Sequence, residues 1–282
     1  MQHQAVDGVV VRLWDKGEND RYLSVLTAEH GRILILSKGG RSMRGEQRAV
    51  SQLYTYANFE YYRRGNTYIL KGGTPHETFY GLSEDLDRFN LAAYLCELTC
   101  EWTDEGEEAG EMLRLLLNSL YAVSHGLYPL DMIKGAFEIR AAALSGYAPE
   151  LDGCARCGER KERELYLDVM NGALLCADCM NTRSKSVSAT ASVYDDIREA
   201  DVICPLSSDV CEVMRYVIAA SPSKLLSFRF RTEEDLRLFA SCAETYVLSH
   251  VGHGFETLRF YHAMKDAEKA FQGTKDTKGT KT

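Results

Sequence analysis

Nowhere in the 282 residues of this chain do about 18 apolar residues follow one another without interruption, so no helix is expected to span a membrane. The amino terminus, Met1-Gln2-His3-Gln4-Ala5-Val6-Asp7, lacks a basic n-region followed by an apolar h-region, which argues against secretion. The motifs of common catalytic sites are missing too. There is no Gly-x4-Gly-Lys-[Ser/Thr] phosphate loop, no Gly-x-Gly-x-x-Gly, no His-Glu-x-x-His and no Gly-x-Ser-x-Gly, so no enzyme chemistry is expected. Zinc deaminases need a His-x-Glu ahead of their cysteine pair and an open metal position; that element is also missing. A disulfide framework suits short secreted chains, whereas this chain is long and its nine cysteines are an odd count. These absences lead to a cytoplasmic protein with reduced thiols and no membrane partner.

What the chain does have is four cysteines in two pairs, Cys154-Ala155-Arg156-Cys157 and Cys176-Ala177-Asp178-Cys179, with 18 residues between the pairs. A C-x2-C turn bends the backbone so that two sulfurs converge, and a second such turn completes a tetrahedron. Four protein ligands leave no open position for a reactive water, so the expected ion is a structural Zn2+. Cys96, Cys100, Cys204, Cys211 and Cys242 fall in apolar helical contexts and read as reduced core residues.

The net charge of -8 by itself speaks against nucleic acid, but the charge is unevenly spread. Residues 1–80 hold 11 Lys/Arg against 8 Asp/Glu, a net of +3, and residues 81–282 hold 22 against 33, a net of -11. A basic first third on an acidic body is expected when one domain handles an anion. Within that third, residues 9–14, 22–27 and 32–36 are short β-branched and apolar runs separated by turn-forming segments. A fourth strand is expected over 51–62, with Tyr54, Tyr56 and Tyr62 on its outward face, and a fifth near 67–71. Five short strands suit a small closed barrel, and the five-stranded OB-fold is the nucleic-acid-binding form of that barrel.

From Ser83 the apolar period becomes helical. Ser83 is the expected first N-cap, and helices are expected over 112–124, 129–144, 191–199, 208–219, 233–250 and 255–271. The resulting α+β plan is an OB-fold domain (1–80), a first helical part (81–150), a four-cysteine zinc ribbon (151–182), a second helical part (183–271) and a disordered tail (272–282). Between the third and fourth strands, Lys38, Arg41, Arg44 and Arg48 stand among three glycines and a single acid, Glu46. Flexible cations of this kind can follow a phosphate backbone, and Tyr54 and Tyr56, with Arg63 and Arg64 at the strand end, can stack bases and pair phosphates. A merely solvated loop would carry the same charges, and the tyrosines could equally pack across strands. Six acids within residues 101–111 read as a solvated corner or, less simply, as a protein-docking surface.

Several segments together resemble a known family. They are Phe137-Glu138-Ile139-Arg140, then Leu144-Ser145-Gly146-Tyr147-Ala148-Pro149-Glu150-Leu151-Asp152 running into Cys154-Ala155-Arg156-Cys157-Gly158, and Gly172-Ala173-Leu174-Leu175-Cys176-Ala177-Asp178-Cys179. Glu18, Thr27-Ala28-Glu29-His30-Gly31 and Lys38-Gly39-Gly40-Arg41 agree in order and spacing. Over about residues 5 to 270 the chain resembles the bacterial recombination mediators of the RecO family. The resemblance implies an OB-fold followed by a mostly helical domain bearing the zinc module. It implies a non-enzymatic protein of DNA repair, associated with the nucleoid, that binds single- and double-stranded DNA and anneals complementary strands. With the partner RecR, such a protein helps load RecA onto DNA coated by single-strand-binding protein. Some members lack the cysteines, so the metal is not implied as the seat of activity. The coating protein's short acidic tail ends in an apolar residue and needs an apolar pocket rimmed by cations, for which Lys134, Arg140, Arg215 and Arg229 are the candidates. The alternative is a zinc-ribbon transcription or translation factor with an OB-fold, which would usually carry its basic patch on or near the ribbon. Here Asp152, Glu159, Glu162, Glu164, Asp168 and Asp178 offset Arg156, Arg160, Lys161 and Arg163.

Overall fold

A computed structural model describes residues 3–42, 47–160, 164–186 and 202–276. The expected helix over 191–199, the cation Arg44 and the last six tail residues lie outside them. The described chain forms two compact units, one of residues 1–130 and 254–282, the other of residues 131–253. The first helices and the last one therefore group with the barrel rather than with the four-cysteine module.

In the first unit, β1 (His3–Lys16), β2 (Asp20–Thr27), β3 (Arg32–Ser37), β4 (Tyr56–Arg64) and β5 (Thr67–Glu77) close into a barrel in the order β1-β2-β3-β5-β4. This is the expected OB-like barrel. The β3–β5 pair is parallel and the other pairs are antiparallel. Closure gives every strand of the barrel a neighbour on both sides. Alternate residues point inward, so Val10, Leu23, Val25, Ile33, Ile35, Ala57, Phe59, Tyr61 and Leu70 fill the interior together with Val50 from the β3–β4 connection. Phe59 is completely buried, and truncating it to Ala would cost about 3–5 kcal/mol.

The fourth strand begins later than its alternation suggested. Tyr54 has φ 65°, a left-handed conformation that extended strands exclude. Residues 47–55 run as turns, held by the Tyr54 N–H donating to Val10 O and the Val10 N–H donating to Thr55 O. Tyr54 is therefore turned inward and buried, against the expectation of an outward face.

Helices α1 (Leu86–Glu101), α2 (Gly110–Ser124) and α7 (Glu256–Asp276) complete this unit. The N-cap of α1 is Asp85, whose carboxylate accepts from the Arg88 N–H at 2.9 Å. Ser83 instead closes a preceding 3-10 turn, its hydroxyl donating to Tyr80 O. Helix α7 packs on α1 through Tyr94 and Phe255 and through Thr257, which donates to Glu97. It continues to Asp276, so residues 272–276 are helical where a tail was expected. The acidic segment between α1 and α2 is exposed but tied by its backbone to the β2–β3 turn: Arg32 N–H donates to Asp104 O and Gly106 N–H to His30 O. Gly31 is required there, because its φ is +60° and a Cβ would lie 1.9 Å from Asp104 O.

The second unit holds α3 (Leu130–Leu144), a three-stranded sheet of β6 (Leu165–Asp168), β7 (Ala173–Cys176) and β8 (Ile203–Leu206) in the order β7-β6-β8, and helices α4 (Ala177–Ser186), α5 (Ser208–Ala219) and α6 (Glu233–Val251). Helix α3 is buried on nearly every side. Gly135 faces the Phe239 ring of α6, where a Cβ would meet ring carbons at 2.6 Å. Near it, Lys134 is buried and held by Glu138 at 2.9 Å and Glu244 at 2.7 Å. Burial alone would lower the Lys134 pKa, but the two carboxylates more than reverse this and keep the ammonium charged. No described helix is long and apolar enough to cross a membrane.

Candidate metal centre and nucleic-acid interface

The two cysteine pairs reach one point by different local structures. Cys154 and Cys157 lie in a turn closed by Gly158 N–H donating to Cys154 O, and Ala155 N–H ties that turn to Leu174 O of β7. Cys176 ends β7 and Cys179 lies in the first turn of α4, whose N-terminal backbone groups favour thiolates. Arg156 donates to Cys179 O, clasping one pair to the other. Leu175, Tyr166 and Met180 pack beside the sulfurs.

All four sulfurs lie within 4.8 Å of one another, and Cys157 Sγ is 3.9 Å from Cys176 Sγ. Tetrahedral bonds of about 2.3 Å put sulfurs about 3.8 Å apart, so the donor set fits a zinc-sized ion. The protonation pattern agrees. Burial raises the Cys154 pKa, but N–H groups of Cys157, Cys176 and Arg156 outweigh it and bring the thiol to about 6. Cys179, hydrogen-bonded first to Cys176 and then to the other two, is pushed up to about 12. Four clustered sulfurs cannot all ionise without a cation among them, and a bound ion removes that conflict.

On the barrel, the structure separates the expected DNA-binding residues. Lys38 and Arg48 are exposed. Arg41 is not a free arm: it pairs with Asp15 at 3.4 Å and donates to Gly17 O, while its N–H donates to Asn19 O. Gly39 N–H donates to Asp20. The start of the cationic loop is thus pinned to the β1–β2 turn. Tyr54 cannot stack bases, because it is 4% exposed and lies edge-on to Phe89 of α1, ring centroids 5.7 Å apart. Tyr56 is half-buried against His76. Arg63 and Arg64 are exposed at the β4–β5 turn, with Arg63 over the Tyr68 ring.

A second aromatic surface that meets cations is one the alternation of the fourth strand could not reveal. Trp14 faces Tyr22 across the β1–β2 register with centroids 6.0 Å apart, and Trp14 is 40% exposed. Lys16 lies over the Tyr22 ring at 4.8 Å and donates to its hydroxyl. Arg12, Trp14 and Lys16 alternate along one strand face. The pattern Arg-x-Trp-x-Lys before the turn was the available signal.

Comparison with known proteins decides the family. The model described as "Recombination protein O N terminal" matches residues 1–79, and that described as "Recombination protein O C terminal" matches residues 83–203. The chain belongs to the RecO family. It is similar to the DNA repair protein RecO of Acetivibrio thermocellus, 25% identical over 261 residues that cover 92% of this chain and 96% of the relative. It is 31% identical to the DNA repair protein RecO of Streptomyces avermitilis over 66% of this chain and 78% of that one. With RecO of Alkaliphilus metalliredigens it shares 31% identity over 64% and 74% of the two chains. The RecO C-terminal match contains all four cysteines, and the N-terminal match contains the barrel.

Among the expected docking cations, Lys134 fails because it is 1% exposed and committed to two carboxylates. A buried ammonium in that state cannot rim a surface pocket. Arg140 donates to Ile218 O and Arg215 to Leu151 O. Arg229 is exposed between Phe228 and Phe230, which pack on Phe239.

Proposed function

We propose that this RecO-family chain is a non-enzymatic recombination mediator that binds single- and double-stranded DNA and anneals complementary strands. The observation that carries this reading is the joining of the cationic loop to the β1–β2 hairpin, beside the pair of exposed Trp14 and half-buried Tyr22. Aromatic faces hold bases without regard to sequence, Lys16, Lys38 and Arg48 meet phosphates, and Arg41 pins the loop that carries Lys38 to the β1–β2 turn. A strand held in this way keeps its pairing edges available to a complement.

The barrel's net of +3 is small against -11 elsewhere, so the protein is a modest DNA binder alone and depends on partners. These are RecR and the acidic tail of single-strand-binding protein, with Arg229 the candidate cation for the tail. Many tails on coated DNA raise the local concentration of this protein without stronger DNA contacts, which favours loading of RecA. The four cysteines hold one Zn2+, which supplies folding energy to the module and no reactive water. The setting is the cytoplasm, at the nucleoid.

Fluorescence anisotropy with labelled single-stranded DNA across salt concentrations tests the first part. The slope magnitude should be about 2–4, near 0.7 per contacted phosphate. The double variant Arg41→Glu, Arg44→Glu should weaken binding to all sequences alike; undiminished binding and annealing would reject the loop as the interface. Annealing of coated strands should require the tail, whereas annealing of bare strands should not. Equal rates with tail-deleted and intact coating protein would reject recruitment.

A further inference from the structure

Strand β5 carries two bulges, and each turns a basic side chain outward. Along the β4–β5 ladder Tyr56 pairs with Glu77 but Ala57 with Pro75, which leaves His76 as the extra residue. Glu60 pairs with Gly72 but Tyr61 with Leu70, which leaves Lys71 as the other. Bulges re-aim side chains, and at barrel rims they adjoin functional sites. His76 Nε2 reaches across β4 to hydrogen-bond Asp7 of β1 at 3.0 Å, and its ring lies 5.0 Å from that of Tyr56. At the other end of the same face His3 meets Tyr62 edge-on, centroids 6.1 Å apart, with Arg63 and Arg64 exposed just beyond. Six residues of strand put the two tyrosines about 20 Å apart.

The floor between these pairs is small-sided. Ala5, Glu60 and Gly72 lie side by side in the register. The barrel itself does not require Gly72: its φ lies outside the left-handed region, and a Cβ there would meet nothing within 4 Å. At Gly73, by contrast, a Cβ would strike Asn58 O at 2.4 Å. A strand glycine that packing does not demand leaves room for a ligand to pass close to the backbone. The anions of this face are engaged. Asp7 also accepts from Asn58 at 2.9 Å, Glu60 pairs with Lys71 at 4.0 Å, and Glu77 accepts from the N–H groups of Thr78 and Phe79.

This face is separate from the β1–β2 hairpin. Residues 3–9 of β1 pair with β4, and residues 12–16 pair with β2 alone. Between the two outward stretches Val9, Val10 and Val11 are buried.

We propose that the β1–β4–β5 face is a second surface for single-stranded DNA, so that one chain holds two strands at once. Tyr56 and Tyr62 offer rings on which bases stack, Lys71 and Arg64 meet phosphates, and the strand passes closely over Gly72. Two strands on one barrel meet at a raised effective concentration, which is what annealing requires. The inference rests on the reading that the β1–β2 hairpin holds the first strand.

The test saturates the full chain with an oligo(dT) of about 6 nucleotides and counts bound oligonucleotides by native mass spectrometry, alongside annealing rates for complementary strands. The parent should carry two per chain. Gly72→Val, whose new side chain has open space, should carry one, as should His76→Ala should the first variant fold poorly. In each, the second binding step should weaken at least about fivefold, the first should keep parental affinity, and annealing should slow. Trp14→Ala should lose the other oligonucleotide and keep the one on β4 and β5. One oligonucleotide per parent chain at saturation, or two on both Gly72→Val and His76→Ala, would overturn the proposal. Two on Trp14→Ala with one on Gly72→Val would support the β4–β5 surface and reject the hairpin reading instead.

Discussion

Replacing Trp14 by Ala tests whether the β1–β2 hairpin carries base stacking. Trp14 projects from β1 with 40% of its surface exposed, and its aromatic neighbour across the register is Tyr22, at 6.0 Å. The residue is not among those that fill the barrel interior, so the fold should survive its truncation. If a base stacks on Trp14, the loss is about 1–3 kcal/mol, which raises the dissociation constant for single-stranded DNA by between about 5-fold and 150-fold. The salt dependence should not move, because no phosphate contact is removed; Lys16→Ala should instead reduce the slope by about 0.7. Anisotropy titrations at several salt concentrations measure both quantities. The chain has two tryptophans, Trp14 and the half-buried Trp102, so in a Trp102→Phe background the emission reports on Trp14 alone. Saturating single-stranded DNA should quench that emission. Unquenched emission together with unaltered affinity in Trp14→Ala would refute the stacking role and leave phosphate contacts as the whole interface.

Other expectations concern the interior and the metal. Tyr54→Phe should leave DNA binding unchanged and match or exceed parental stability in urea melts, because the Tyr54 hydroxyl is buried without a hydrogen-bond partner and such a group costs about 1–3 kcal/mol. Cys157→Ser, or chelation of the parent, should remove a zinc contribution of order 10 kcal/mol to local folding; amide exchange across residues 151–182 reads the loss, and parental protection in the metal-free chain would contradict it. Gly135→Ala should destabilise the second unit by about 1–3 kcal/mol through overpacking against Phe239, and an unchanged melt would mean that the α3–α6 crossing yields. Asp235 accepts hydrogen bonds from Ser207 and Thr232, which hold its carboxyl below the usual value of 3.8. Its contribution is therefore present above the unfolded pKa and lost as pH falls through the folded one; Asp235→Ala should flatten the acid limb of a stability–pH profile there.

Local pattern carried much of this protein. The alternation of β1 to β3, the turn chemistry of residues 17–19 and 29–31 and the onset of helical period near residue 86 are short-range properties, and the elements formed where those properties predicted them. Two C-x2-C turns were enough to predict the four-cysteine cluster, because each turn converges its own two sulfurs and only one meeting was left to the fold. Where a residue's role depended on what lay across from it, the pattern misled. Tyr54 continued an alternating run, but its left-handed backbone turned it onto Phe89. Lys134 read as a surface cation until Glu244, from a distant helix, closed over it.

The same division accounts for the aromatic surface that only the fold revealed. Trp14 and Tyr22 become a pair through strand register. Chain order alone determined β1 to β3, most of the described helices and the four-cysteine cluster, since hydrophobic period and turn geometry act over a few residues. Tertiary structure decided which cations stay exposed and which tyrosine is core, because burial and long-range contact depend on what the rest of the chain brings alongside.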